Sequence, residues 1–319
     1  MVLRAMVVLA LTSLLLVSPA SAQAPIFLRA FGTAGCAPGQ FVNASGIAVD
    51  AQGEIYVTDY SCQSVQVFSP SGEFLRRWPA FVYPGDTRSE GAYGIAIGTD
   101  QRVFVSDYAN HTIKVYTRQG ELLSLWGGIM ELQTPAGIAV DHAGELLVGD
   151  KYGNRIVVYS SEGIRLREWG RFGSGPGEFL FVLGVAVSPD DRVFALDPNN
   201  SRVQVFTTLG EFLFQFGSAG SGPGQLQYPL GIAIDAQGTV FITEEGETPR
   251  VQMFTTAGVY LGGWGTGGSG DGQFTSPFGV ACGPDGLVHV VDEQAHRVQT
   301  FGPAAVNARR STWGRVKSR

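Results

Sequence analysis

Charge is scarce in this 319-residue chain: Asp, Glu, Lys and Arg make up 16% of it, against about 25% in an ordinary soluble domain. So few charges argue against a coiled coil, which is built on charged flanking positions. Long apolar runs are scarce too. Beyond the first 22 residues, nothing approaches the roughly 20 apolar residues of a membrane-spanning helix. Glycine is abundant, with 44 residues, but it does not recur at every third position, which excludes collagen. Hydrophobic residues account for 44%, enough to bury a large core and too many for a disordered chain. High glycine with high apolar content predicts many short strands joined by tight turns.

The first 22 residues read as a secretory signal. Arg4 precedes the apolar run 6–17, and Ala20-Ser21-Ala22 supplies a small-x-small cleavage site, so the mature chain is expected to start at Gln23, secreted or periplasmic. Removing Arg4 takes the net charge from −6 to −7. Residues 303–319 hold Arg309, Arg310, Arg315, Lys317 and Arg319 and no acid, which leaves −12 on 23–302. Such a body repels phosphate backbones, and nucleic acid is not an expected partner. The basic tail reads as a solvated terminus, with docking as the sharper alternative.

Self-comparison carries most of the information. An apolar segment recurs six times: GIAVD at 46, GIAIG at 94, GIAVD at 137, GVAVS at 184, GIAID at 231 and GVACG at 279. Each is followed by a second run (IYVTD, VFVSD, LLVGD, VFALD, VFITE, VHVVD) and a third (VQVFS, IKVYT, IVVYS, VQVFT, VQMFT, VQTFG). A fourth run ends at Trp78, Trp126, Trp169, Phe216 and Trp264. All are short, β-branched or aromatic, and punctuated by Gly, Asp and Pro, which is a strand signature. From the first-strand glycine to the acid closing the second strand is 13 residues in all six repeats, and from the third strand to the terminal aromatic 13 in all five complete ones.

The predicted fold is therefore all-β: a six-bladed β-propeller over 23–302 with four antiparallel strands per blade. The sixth repeat lacks a fourth strand. Residues 26–31 (IFLRAF) match 211–216 (EFLFQF) in pattern and are expected to close the last blade from the N-terminus.

The pattern GIAVD, x-G-x-IYVTD, VQVF and x-x-G-E-F resembles the NHL repeat across essentially the whole mature chain to Gly302. That resemblance implies the propeller fold and leaves activity open, since the family includes binding modules, sensor domains and a few enzymes. Length varies only in the loops between fourth and first strands and between second and third strands, which emerge on one face. Function tends to sit on the variable loops of a rigid scaffold, so that face is the expected ligand side.

The residue before each first-strand glycine is expected at the channel mouth: Ser45, Tyr93, Ala136, Leu183, Leu230 and Phe278. Lactonase-like relatives hold a divalent cation with Asn, Asp and Glu near such positions, and none of those types occurs in this ring. The amidating-lyase branch uses three channel histidines as metal ligands. Here His142 falls on the opposite face and His289 in a strand, while His111 and His296 occupy equivalent loop positions. No metal or other cofactor is expected. The glycine-rich runs precede strands rather than helices and are loop spacers, not phosphate cradles.

Tyr60, Tyr108 and Tyr152 follow the second strands of blades 1 to 3, and tyrosines suit interfaces. The loop 79–93 departs most from its counterparts and carries Tyr83, Asp86, Arg88 and Glu90. Tyr60, Tyr93, Tyr108, Tyr152, Asp86, Arg88 and Phe278 form the candidate binding set, with no catalytic residue assigned. Cys36 and Cys62 lie in two loops of that face, where an exported protein would join them in a disulfide; the amidating-lyase branch has similar loop-to-loop cysteines. Cys282 is expected as a buried free thiol. The leading expectation is a non-catalytic module for a protein, peptide or glycan. The alternative is a metal-dependent lyase or hydrolase with its site at the channel mouth. Oligomeric state is not readable from the chain.

Overall fold

The computed structural model describes residues 23–80 and 91–303. Six four-stranded antiparallel sheets form its blades. Blade 1 runs through Ala44–Val49, Ile55–Asp59, Ser64–Phe68 and Phe74–Pro79, and blades 2 to 5 repeat this order. Blade 6 takes Pro277–Cys282, Val288–Asp292 and Arg297–Gly302 from the end of the chain and Ile26–Phe31 from its beginning. The closing strand pairs Phe27 with Phe301 and Phe31 with Val298, as the pattern match predicted. The first strands touch in cyclic order, and that of blade 6 returns to that of blade 1. Both ends of the described chain therefore leave on the face of the first-to-second-strand turns. Among the described residues no helix is long and apolar enough to cross a membrane.

The repeat explains itself in the packing. Second and third strands are buried along nearly their whole length, because each blade is covered on both faces by its neighbours. That is why the second strands read as nearly continuous apolar runs rather than as alternating ones. The outer strands alternate, as in the exposed–partly buried pattern of Ile26–Phe31. Six apolar clusters occupy the six gaps between blades. Each terminal aromatic belongs to one of them, Trp78 between blades 1 and 2 and Phe31 between blades 6 and 1.

The first-strand glycine marks the closest approach of adjacent blades. A Cβ on Gly46 would stand 2.4 Å from the Tyr93 carbonyl oxygen, and one on Gly94 2.3 Å from that of Ala136. No other residue fits there without separating the blades. In blades 1, 2 and 5 a second-strand hydroxyl bridges the same gap. Thr58 Oγ1 accepts from the Gly46 amide at 2.8 Å and donates to the Tyr93 carbonyl at 2.6 Å, and Ser106 and Thr243 repeat this.

The loops into blades 1, 4, 5 and 6 share one form, each ending on a fully buried apolar residue: Phe41, Phe179, Leu226 and Phe274. Each is gripped by the glutamine of its blade's third strand. Gln204 Oε1 accepts from the Gly177 amide at 2.8 Å, and its Nε2 donates to the Glu178 carbonyl at 2.7 Å. Gln66, Gln252 and Gln299 do the same. Blades 2 and 3, whose incoming loops differ, carry Lys114 and Val157 at this position. Lys114 is buried, ion-paired to Asp107 and donating to the Ala80 carbonyl.

In blades 1, 3, 4, 5 and 6 the acid closing the second strand also holds the incoming loop. Asp150 Oδ1 accepts from the Thr134 amide at 2.7 Å while its Oδ2 meets Arg155 Nε at 3.0 Å. Asp59 accepts from the amides of Val42 and Cys62, both at 2.8 Å. Cys36 and Cys62 form a disulfide, with Cα atoms 5.5 Å apart and a sequence separation of 26. A closed loop of that length contributes about 3 kcal/mol in the chain-entropy account. Cys282 is free and partly buried, and burial pushes its thiol well above the usual range.

Candidate functional site

The channel mouth is lined by repeat-equivalent positions. One ring precedes the first-strand glycines. A second consists of the residue immediately after each closing acid: Tyr60, Tyr108, Lys151, Pro198, Glu245 and Glu293. Five of these six are fixed by their own amides, which donate to carbonyls at the start of the neighbouring first strand. Tyr60 N reaches Asn43 O at 2.9 Å, Tyr108 N reaches Gly91 O at 2.9 Å, Lys151 N reaches Thr134 O at 2.9 Å, Glu245 N reaches Tyr228 O at 3.1 Å and Glu293 N reaches Ser276 O at 2.9 Å. Pro198 has no amide hydrogen to give.

Four of the candidate residues meet in one aromatic group. The Tyr93 ring stacks on Tyr108 at 5.6 Å and meets Phe278 edge-on at 5.5 Å. Tyr60 contacts Tyr93 at 6.5 Å and Tyr108 at 6.2 Å. These are the separations and tilts at which ring quadrupoles attract. Tyr93 comes from blade 2 and Phe278 from blade 6, so their contact passes over blade 1. The small Ser45 of that blade is buried there and donates to the Tyr93 carbonyl at 3.1 Å. Burial pushes the Tyr93 phenol far above its ordinary range, with Tyr108, Glu293 and Tyr60 adding to the effect. It is a neutral hydroxyl at any physiological pH.

Tyr152 stands apart from that group. It lies two residues after Asp150, whereas Tyr60 and Tyr108 lie one after their acids, so the blade 3 equivalent is Lys151. Tyr152 packs edge-on against Phe181 at 5.2 Å. The Lys151 ammonium sits 5.4 Å from the Tyr108 ring centre, 5.3 Å from Tyr152 and 5.5 Å from Phe181, within cation–π range of all three. It joins the two aromatic groups into one arc.

The other side of the mouth is acidic. Glu293 Oε1 accepts from Asn43 Nδ2 at 2.8 Å, and Asn43 Oδ1 accepts from Ser61 Oγ at 2.7 Å. The buried Ser276 hydroxyl lies 3.2 Å from Glu245 Oε1 and 3.5 Å from Glu293 Oε2. It has one proton to offer the two carboxylates. Below the rings the channel holds a cavity of about 100 Å³ bounded by the six first-strand glycines, Tyr93, Leu183, Leu230 and Phe278.

Lys151, Phe181, Glu245 and Glu293 were not singled out in the sequence, although aligning the repeats on their acids identifies three of them. Asp86 and Arg88, with Tyr83 and Glu90, lie outside the described residues. So do the signal segment 1–22 and nearly all of the basic tail. Two histidines point at loop backbone: His111 Nδ1 contacts the Gln133 carbonyl, and His296 Nδ1 that of Val42 at 3.1 Å. His142 pairs with Asp191 at 2.5 Å on the opposite face. His289 is buried against Thr300 Oγ1 at 3.1 Å.

Among known families, the NHL repeat matches residues 41–68, and a family described as a 6-bladed beta-propeller matches 183–248. No curated protein matches. Among solved structures, a streptogramin B lyase is 13% identical with a TM-score of 0.64, over 87% of this chain and 98% of that one. A protein of unknown function from Bacteroides thetaiotaomicron is 15% identical with a TM-score of 0.69, over 85% and 74%. A gluconolactonase from Xanthomonas campestris is 16% identical with a TM-score of 0.61, over 89% and 99%. At these identities the likeness is one of fold.

Proposed function

We propose that this chain, a six-bladed NHL-repeat propeller, is an extracytoplasmic binding module that holds a protein, peptide or glycan at its channel mouth without transforming it. The observation that carries this reading is the continuous aromatic surface of Tyr60, Tyr93, Tyr108 and Phe278. Such rings offer large contact area at low entropic cost and keep a polar tip for hydrogen bonds. The cavity beneath, about 100 Å³, is well below the roughly 300–1,000 Å³ of a small-molecule site. It has room for one side chain, which suits a ligand lying across the rim.

A displayed random-peptide library and an oligosaccharide array, both screened with the mature chain, provide the test. Bound sequences or sugars are expected to lose about tenfold in affinity on Tyr93→Ala or Tyr108→Ala, with melting temperatures kept within a few degrees. Ligands indifferent to both substitutions but lost with changes around His142, on the opposite face, would refute the assignment. The alternative, a metal-dependent lyase or hydrolase, draws on the names of the lyase and gluconolactonase neighbours. Stoichiometric metal in the purified protein, together with turnover of a bound compound, would favour it instead.

A further inference from the structure

The second ring of the mouth is electrically divided. Lys151 belongs to blade 3 and Glu293 to blade 6, three blades apart in a closed ring of six and so directly across the opening, with Glu245 beside Glu293 in blade 5. Five of the six closing acids are compensated by a cation, Asp107 by Lys114, while Asp59 is held by backbone amides. Asp150, Asp197, Glu244 and Asp292 each pair with an arginine at the start of the third strand. Lys151, Glu245 and Glu293 are all partly buried, yet among the described residues none of the three makes an ion pair with an oppositely charged side chain. Partly buried charges left without counter-charges are unfavourable unless something else supplies them.

From this we infer that the ligand is a peptide carrying both charges, its cationic side chain seated between Glu245 and Glu293 and its acidic group at Lys151. The inference rests on the mouth being the binding site. The same groups argue for a peptide over a glycan. A neutral sugar would leave both ends of the opening uncompensated, whereas a peptide presents an ammonium or guanidinium and a carboxylate a few residues apart. Asn43 and Ser276 hold the carboxylates in place, and three rings hold the ammonium of Lys151. Side chains fixed in this way lose little entropy on meeting a partner. Opposite charges at the two ends would also fix the direction in which the peptide lies.

The test uses fluorescein-labelled octapeptides bearing one Lys and one Asp at spacings of two, four and six residues, with versions replacing either or both by Ala, and maltohexaose as a neutral sugar. Binding to the mature chain is read by fluorescence anisotropy, with the sugar as competitor and by calorimetry. At one spacing the doubly charged peptide is expected to bind about tenfold or more tighter than either singly charged one, and to weaken in high salt. The isosteric pair Glu245→Gln with Glu293→Gln should abolish the preference for Lys and spare that for Asp. Lys151→Met should do the reverse, and Lys151→Arg should restore it. Charge-free peptides binding equally well would overturn the inference, as would a Lys preference that survives both glutamines. Sugar binding lost on Tyr93→Ala, with no peptide bound, would overturn the peptide class and leave the mouth as the site. No binding by any probe would remove both readings.

Discussion

Replacing Gln204 with leucine should loosen one incoming loop while leaving the blades intact. Gln204 is fully buried and makes two bonds to the loop, from the Gly177 amide at 2.8 Å and to the Glu178 carbonyl at 2.7 Å. The carbonyl does not lose everything, because Arg202 Nη2 also donates to it at 2.7 Å. The Gly177 amide has no such second partner and is left orphaned. Losing a net hydrogen bond and stranding a partly buried donor amounts to about 2 kcal/mol. For a domain of this size that lowers Tm by about 4–6 °C. The amide hydrogen of Gly177 should exchange about 30-fold faster, the factor that 2 kcal/mol represents. The reciprocal change sharpens the test. Val157→Gln in blade 3 would bury an amide beneath a shorter loop lacking the glycine run, and it should cost about 2–3 kcal/mol rather than stabilise. Calorimetry on both variants, with hydrogen exchange on the first, decides the matter. A Gln204→Leu protein melting within 1 °C of the parent with unchanged Gly177 exchange would show that the glutamine does not hold the loop.

Two further outcomes follow from the packing and from burial. Removing 26–31 should abolish the cooperative melt, because it opens the ring and bares the edge of Arg297–Gly302. The milder Phe31→Ala, which takes away the ring 4.7 Å from Phe68, should cost about 2–3 kcal/mol by chemical denaturation, and an unchanged midpoint would argue against closure by this strand. Burial holds His289 down at about 4 against 6.5, so the unfolded chain binds a proton that the folded chain refuses. Stability should therefore be complete above pH 6.5 and fall by up to about 3 kcal/mol as pH drops toward 4. His289→Phe, matching Phe104, Phe194 and Phe241 in other blades, should flatten that dependence in urea melts at pH 4.5 and 7.5. An equal shift at both pH values would refute it.

The architecture was legible because the same constraint is written six times. Gly46 and its equivalents stand where inner strands touch, and the acids 13 residues later hold the incoming loops of five blades, so neither position can drift without breaking an interface. The closing strand was legible for the same reason: Phe27 and Phe31 fill positions that Phe212 and Phe216 fill in blade 4. The site was less so. Tyr152 reads as the partner of Tyr60 and Tyr108 only if aromatic type outweighs register. A one-residue offset changes where a side chain points, and the aligned position holds Lys151. The third-strand glutamines look like exposed polar residues in a strand run, yet they lie at the centre of the loop grip. Their absence from blades 2 and 3, where the loops differ, was the signal to read.

These two kinds of position separate what builds the propeller from what varies around its mouth. Residues that build the propeller act through backbone contacts or buried side chains, and their identities are nearly invariant from blade to blade. The ring after the acids is tied to the fold through its backbone amides, which donate to Asn43, Gly91, Thr134, Tyr228 and Ser276, a tie that tyrosine, lysine and glutamate make equally well. Blade 4 is the exception. Pro198 lacks the amide, and it starts a short 3-10 turn, Pro198–Asn200, as Glu293 does in blade 6 with its amide bond intact. Under the proposed function, recognition would be set by these six side chains. Exchanging Lys151 and Glu293 between blades should reverse the polarity of the mouth while leaving the six inter-blade cores untouched.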